Sequence, residues 1–275
     1  MQEKMKTALR AVRESSPLVQ CITNFVTVND CANIILAAGG SPTMAMDPRE
    51  VEEAVRGVSA LVCNMGAIES MEAMILAGKE ANQLHIPVIL DPVAAGGTQL
   101  RRDVSKDLLK QMQFSVIRGN ASEIRYLAGQ QTTGSGVDVS LMDAVTEENL
   151  SAVVEMTVNL AKKTGSIIAI SGVLDVISDG TQTMVLRNGC ATMARITGSG
   201  CMLTSMIGAF CGAMKEDCFA ATCAAMAVMG VAGEMAEALR QQKGTGNVTF
   251  RADLIDCIFN MTEEKLAKMV KMELF

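Results

Sequence analysis

Short apolar runs rich in Val and Ile recur along this chain, and stretches with helical spacing separate them. A chain patterned this way is constrained to a sheet with helices packed on both faces. "PLVQCITN" (17–24), "SPTMAM" (41–46), "SALVCNMG" (59–66), "IPVILDP" (86–92), "FSVIRGN" (114–120) and "SIIAISG" (166–172) read as strands. Between them "DCANIILAAGG" (30–40) reads as a helix closed by Gly39 or Gly40, and further helices are expected near 70–84, 103–112, from Ala121, and over 146–163. At Asp47-Pro48-Arg49-Glu50 an Asp N-cap, a Pro at the first helical position and a Glu at the third predict a helix start. "DVISDGTQTMVLRNG" (175–189) breaks the alternation as an antiparallel hairpin around Asp179 and Gly180, and the remainder is mostly helical. A polar Gly, Ser and Thr stretch fills 129–136. No linker, low-complexity tract or repeat divides residues 1–275, so the expectation is one α/β domain with a mostly parallel central sheet.

Size and charge narrow the partners. With 275 residues and 49% hydrophobic content, a large core is available. A net charge of −6, with Lys and Arg scattered, offers no basic footprint for nucleic acid or anionic membrane, which points to a small-molecule partner. The nine cysteines are odd in number and never spaced CxxC, as expected of buried apolar thiols in a reducing cytoplasm. The charged N-terminus lacks a signal-peptide core. Residues 201–236 are nearly all apolar, but "KED" at 215–217 splits them, as two buried helices of a soluble domain would require.

Ligands of an open parallel sheet collect beyond the carboxyl ends of its strands. Asn24, Asn64, Asp91, Arg118, Asn120 and Ser171 all stand at or just past such ends, and Glu123 opens the next helix. His85, the only histidine, precedes its strand and is expected at the opposite edge, on the order of 20 Å away, which argues against histidine-based catalysis and against zinc. Thr197-Gly198-Ser199-Gly200-Cys201 leads into a helix, whose N-terminus favours anions and should lower a thiol pKa. No Walker A or GxGxxG pattern occurs. Singly, each residue has a plainer reading: Asp91-Pro92 as a turn, Glu123 as a helix first-turn acid, Arg118 as a surface ion pair, Met44 as core filler, and the glycines as a tight turn.

Several blocks, in order, resemble one family. "PLVQCITNFVTVNDCANIILAAGGSPTMAMDPREVEE", "VILDPVAAGGTQLR", "VIRGNASEIRYLAG", "GVLDVISDG", "RNGCATMARITGSGCMLTS" and "GTGNVTFRADLIDCIF" resemble the signature blocks of the hydroxyethylthiazole kinases, in the ribokinase-like superfamily. The resemblance implies a single-domain three-layer α/β/α fold, a cytoplasmic homotrimer with sites near subunit interfaces, and Mg²⁺- and ATP-dependent phosphorylation of the primary alcohol of 4-methyl-5-(2-hydroxyethyl)thiazole. Arg118 and Ser171, with Asn120 of the same "IRGN" block, match nucleotide contacts; Asp91 and Glu123 match metal-associated carboxylates. Met44, Gly198 and Asn24 match the thiazole pocket, and Cys201 the proposed base, with Gly198 and Gly200 in the turn before it. Ser171 and "TGSGC" stand where Thr and "TGTGC" are frequent, and both changes keep the hydroxyl. Much of the wider superfamily has Asp where this chain has Cys201, which separates it from two alternatives, a hydroxymethylpyrimidine kinase and an ATP-dependent dehydratase of hydrated nicotinamide cofactor. A non-catalytic nucleotide-binding module would be expected to have lost Asp91, Glu123 or the glycine turn.

The chemistry of those residues is compatible with phosphoryl transfer, which asks mainly for positioning and positive charge. Asp91 and Glu123 offer the oxygen ligands that Mg²⁺ prefers, Arg118 can neutralise phosphate, and the amides of 198–201 can form an anion hole.

Overall fold

A computed structural model describes residues 1–130 and 144–275. The expected runs form β1 (Leu18–Ile22), β2 (Ser41–Thr43), β3 (Ala60–Asn64), β4 (Val88–Asp91), β5 (Val116–Asn120) and β6 (Ile167–Ser171). The hairpin is β7 (Asp175–Ser178) and β8 (Thr183–Leu186). One sheet joins them in the order β2-β1-β3-β4-β5-β6-β7-β8, parallel as far as β6 and antiparallel beyond it. An unexpected strand, β9 (Met272–Leu274), adds antiparallel to β8 at the sheet edge. Three residues are too few to show a period, so only the pairing with β8 makes this segment a strand.

Eleven α-helices are present among the described residues. α1 (Gln2–Ser15), α2 (Val28–Ala38), α8 (Ser199–Ala213), α9 (Cys218–Lys243), α10 (Asn247–Phe259) and α11 (Glu263–Met269) pack on one face. α3 (Val51–Val55), α4 (Met71–Gln83), α5 (Gln99–Gln111), α6 (Ala121–Leu127) and α7 (Leu150–Thr164) pack on the other. Alternate residues of a strand divide between the layers: Val62 of β3 enters the first core, while Leu61 and Cys63 enter the second. That period of two, buried on both faces, is why the strands read as continuous apolar runs.

Of the helix starts that differ from expectation, two have a visible local cause. Asp47 does not cap α3; its carboxylate holds the amide and guanidinium of Arg49, and its carbonyl accepts from Glu50 and Val51, so the chain makes a turn before the helix begins. α5 begins earlier than its apolar spacing suggests because the Thr98 hydroxyl accepts from the Arg101 amide and caps it. The apolar stretch 201–236 resolves into α8 and most of α9. α9 is long and apolar enough to cross a membrane, but 83% of its most apolar window is buried inside this domain, as in a core helix. All nine cysteines are free thiols. Residues 131–136 of the polar stretch lie outside the described residues.

Candidate active site

Parallel strands bring their carboxyl ends to one edge, and there the fold gathers the residues expected from the sequence. α8 begins over this edge. Its N-cap, Gly198, has φ 77°, and a Cβ there would come 2.3 Å from Thr27 Cγ2, so both backbone and space call for glycine. A Cβ on Gly200 would lie 2.6 Å from Arg118 Nη1, which shows how closely the guanidinium of β5 lies against the first turn of α8. Arg118 Nη2 donates to the Ser171 hydroxyl at the end of β6.

A buried polar chain runs from Asn24 to Asp91. The Thr27 hydroxyl donates to Asn24 Oδ1 (3.2 Å), which turns the Asn24 amide nitrogen toward Cys201 Sγ (3.6 Å) and Asn64 Oδ1 (3.3 Å). Asn64 Nδ2 and the Thr204 hydroxyl both donate to Asp91 Oδ2, at 2.9 Å each. Arg118 Nη1 stands 3.9 Å from the same oxygen. Burial raises Asp91 above the usual carboxylate range, opposed by Arg118, Thr204 and the Cys201 thiol.

Cys201 departs from expectation in its ionisation. Burial, and then the charge of Asp91, push its thiol up to about 12, opposite to the lowering expected from the helix N-terminus. Across the neutral range the group is a protonated thiol.

Glu123 sits at the third position of α6 in a capping box: Asn120 Oδ1 accepts from the Glu123 amide (2.9 Å) and Glu123 Oε2 from the Asn120 amide (2.7 Å). Its other oxygen accepts from the Ala94 amide (2.8 Å), reaching the loop after Asp91. Ala94 itself takes a left-handed φ of 54°. Arg101 Nη1 braces the same loop through the carbonyls of Met65 (2.8 Å) and Val93 (2.9 Å). Burial, then the Asp91 charge, raises Glu123 to about 7.

Two buried carboxylates that repel one another suit a cation. Asp91 Oδ1 makes no hydrogen bond within the described residues, and no third acidic, His or Cys side chain groups with the pair there. That donor set fits Mg²⁺, which keeps several waters and takes one or two carboxylates together with substrate phosphates.

Beside the chain opens a cavity of about 490 Å³. Arg118, Ser171 and Gly200 form its polar end, and Val145, Met193 and Met229 are part of its apolar wall. Asn120 is committed to capping α6 and does not line it. Met44 lies one residue past edge strand β2, partly buried against the core on the α2 and α8 face of the sheet. Its segment is tied to β1 by Gln20, whose amide nitrogen donates to the Ala45 carbonyl.

Three contributors escaped the sequence reading. Thr204, fully buried, stands one helical turn beyond Cys201, and its only signal was a hydroxyl inside an apolar run. Thr27 orients Asn24 from the N-cap position of α2, and nothing in its local pattern marks it. Asp175 lines the cavity from the start of β7, where it read simply as a hairpin residue.

Comparison with known proteins identifies the family. The model of the Hydroxyethylthiazole kinase family matches residues 9–264. A hydroxyethylthiazole kinase of Clostridium beijerinckii is 44% identical over 98% of this chain and 97% of its own length. One from Thermoanaerobacter pseudethanolicus is 45% identical over 98% of each. The solved structure of a hydroxyethylthiazole kinase from Pyrococcus horikoshii superposes with a TM-score of 0.86 at 32% identity, covering 99% of both chains. A pyridoxal kinase from Bacillus subtilis, at 16% identity and a TM-score of 0.56 over 78% of this chain and 90% of its own, shares the ribokinase-like fold. By sequence over nearly its whole length and by fold, this chain belongs to the hydroxyethylthiazole kinase family.

Proposed function

We propose that this enzyme transfers the γ-phosphoryl group of ATP to the primary alcohol of 4-methyl-5-(2-hydroxyethyl)thiazole, a reaction of thiamin salvage carried out in the cytoplasm. The observation that carries the reading is an adjacency: Arg118 reaches from the polar end of the cavity to within 3.9 Å of Asp91, whose network includes Cys201 and Asn24. A nucleotide in the cavity would thus present its terminal phosphate to an alcohol seated against Cys201.

Arg118, with the amides at the start of α8, offers positive charge to the migrating group, and Ser171 keeps the guanidinium aimed. Asp91 and Glu123 would hold Mg²⁺, which supplies charge neutralisation between the phosphates when bound. Asn24, with Met44 and Gly198, would wall the thiazole side. Because the transition state is loose, the alcohol proton leaves late, and the protonated Cys201 thiol is better suited to orient the hydroxyl than to take its proton at once. The basic group beside it is the Asp91 carboxylate, whose charge acts on the thiol.

Phe25 and Val26, exposed at 84% and 55%, adjoin Asn24 at the mouth of the site and suit burial in a subunit interface. This supports a homotrimer with sites near its interfaces, for which light scattering should give three times the 29.1 kDa chain mass. The activity is tested by ADP release with ATP, Mg²⁺ and a panel of hydroxyethylthiazole, hydroxymethylpyrimidine and pyridoxal. Turnover confined to the thiazole is expected; turnover only on another alcohol would refute the assignment of the pocket.

A further inference from the structure

Asp175 is a carboxylate with an unusual setting that the phosphoryl-transfer residues do not explain. It opens β7, is 8% exposed, and lines the cavity next to Ser171. One of its oxygens accepts from the Gly172 amide (3.0 Å), which closes the turn between β6 and β7. Its other oxygen makes no hydrogen bond within the described residues and is not among the sealed polar atoms there, so it is open to the cavity. By contrast, Asn188, another polar residue of the lining, has its amide nitrogen committed to Glu234 and Met269 and its oxygen to Lys271.

The lining falls into two chemistries: Arg118, Ser171 and the first turn of α8 suit phosphate, and the methionines and Val145 suit a flat apolar ring, with Asp175 held beside Ser171 through the Gly172 amide. An ionised carboxylate is repelled by a polyphosphate, which brings only acceptors and negative charge. It can face the hydroxyl or amino donors of the nucleoside portion, and a buried acceptor left without a partner favours a ligand that supplies one. Resting on the nucleotide reading of this cavity, we propose that Asp175 is a specificity residue for the nucleotide: its free oxygen accepts a hydrogen bond from a donor on the nucleoside, either a ribose hydroxyl or the exocyclic amine of the base.

The burial that lifts its carboxyl to about 7 leaves this group easily shared between a proton and a ligand donor. Its position separates the two jobs. The oxygen on Gly172 shapes the turn, and the oxygen in the cavity reads the ligand.

The test is equilibrium binding without alcohol, by calorimetry, to the wild type and Asp175→Asn. The asparagine retains an acceptor for Gly172 but turns a donor into the cavity. The probes are ATP, 2′-deoxy-ATP, 3′-deoxy-ATP, inosine triphosphate and tripolyphosphate. In the wild type, ATP should bind about tenfold more tightly than the one analogue that lacks the donor being read, the deoxy forms distinguishing a ribose hydroxyl and inosine triphosphate the amine. In Asp175→Asn that preference should vanish, ATP should weaken by a similar factor, and tripolyphosphate should bind as before. Unchanged discrimination in the variant would overturn the proposal. So would an equal loss of ATP and tripolyphosphate, which would make Asp175 a brace of the turn alone. A wild type that binds tripolyphosphate but prefers no nucleoside would sink this inference and leave the phosphate end standing, whereas a wild type that binds none of the probes would sink the nucleotide reading with it.

Discussion

Asn24 Nδ2 points at Cys201 Sγ from 3.6 Å, joining residues 177 positions apart at the meeting of β1 and α8. The thiol therefore accepts from Asn24, and the charge of Asp91 acts on it from the polar network beyond. Burial first, and then the charge of Asp91, hold the group neutral, with its pKa up at about 12, against the hydrogen bonds that would lower it.

A neutral, oriented thiol predicts slow alkylation. Iodoacetamide should modify Cys201 more slowly at pH 7.5 than a free thiol of pKa ~8.5, with a rate still rising above pH 9. Labelling faster than the free thiol would mean that the helix field dominates after all. Cys201→Ala should lower kcat by ~10- to 100-fold with little change in the KM for ATP. A variant with undiminished kcat would make the thiol a bystander.

Gly198 carries two separable constraints, and they can be pulled apart. Gly198→Ala should cost a few kcal/mol, because its Cβ meets Thr27 Cγ2 and its φ of 77° is left-handed. Thr27→Ser removes the offending methyl yet keeps the hydroxyl that orients Asn24. Added to Gly198→Ala, it should recover the steric share but not the backbone share, roughly 1 kcal/mol. Urea unfolding of the two single variants and the double variant measures both shares. A strictly additive double variant would show that the methyl contact is relieved by other means.

Much of this architecture was legible because it rests on local patterns. Continuous apolar runs placed β1 and β3 to β6, and strand ends then nominated Asn24, Asp91, Arg118 and Ser171 without any tertiary information. What could not be read were effects produced by packing. Position at a helix N-terminus gave the wrong sign for the ionisation of Cys201, because burial and Asp91 enter only once β4 and α8 are docked. The apparent cap at Asp47 failed because its carboxylate found Arg49. Thr204 and Thr27 became visible only when the fold brought them to Asp91 and Asn24.

Glu123 couples its helix to the loop after Asp91, so its removal should be felt as both stability and metal dependence. In Glu123→Gln the side-chain amide nitrogen would oppose the backbone N–H of Ala94 or of Asn120, costing on the order of 1 kcal/mol for the cap and more for the buried donor. Thermal unfolding should come several degrees lower. If Glu123 also supports Mg²⁺, the variant should require more Mg²⁺ for half-maximal turnover, a shift that a purely structural cap would not produce. A Mg²⁺ titration of kcat at a temperature where both proteins are folded separates the two roles.

Asp175 should leave a signature in the dependence of stability on pH. Burial raises its carboxyl to about 7, whereas an unfolded Asp titrates near ~4. Below the unfolded value both states are protonated and the group contributes nothing. Between the two values the folded state keeps a proton that the unfolded state has released, so stability falls as pH rises. Above the folded value the penalty is constant, at most a few kcal/mol. Asp175→Asn abolishes the titration while its amide oxygen can still accept from Gly172. The variant should therefore gain stability over the wild type, and the gain should be larger at pH 8 than at pH 5 by about 1–3 kcal/mol. Urea unfolding of the ligand-free proteins at the two pH values measures it, and an equal gain at both would show that Asp175 ionises as an ordinary carboxylate.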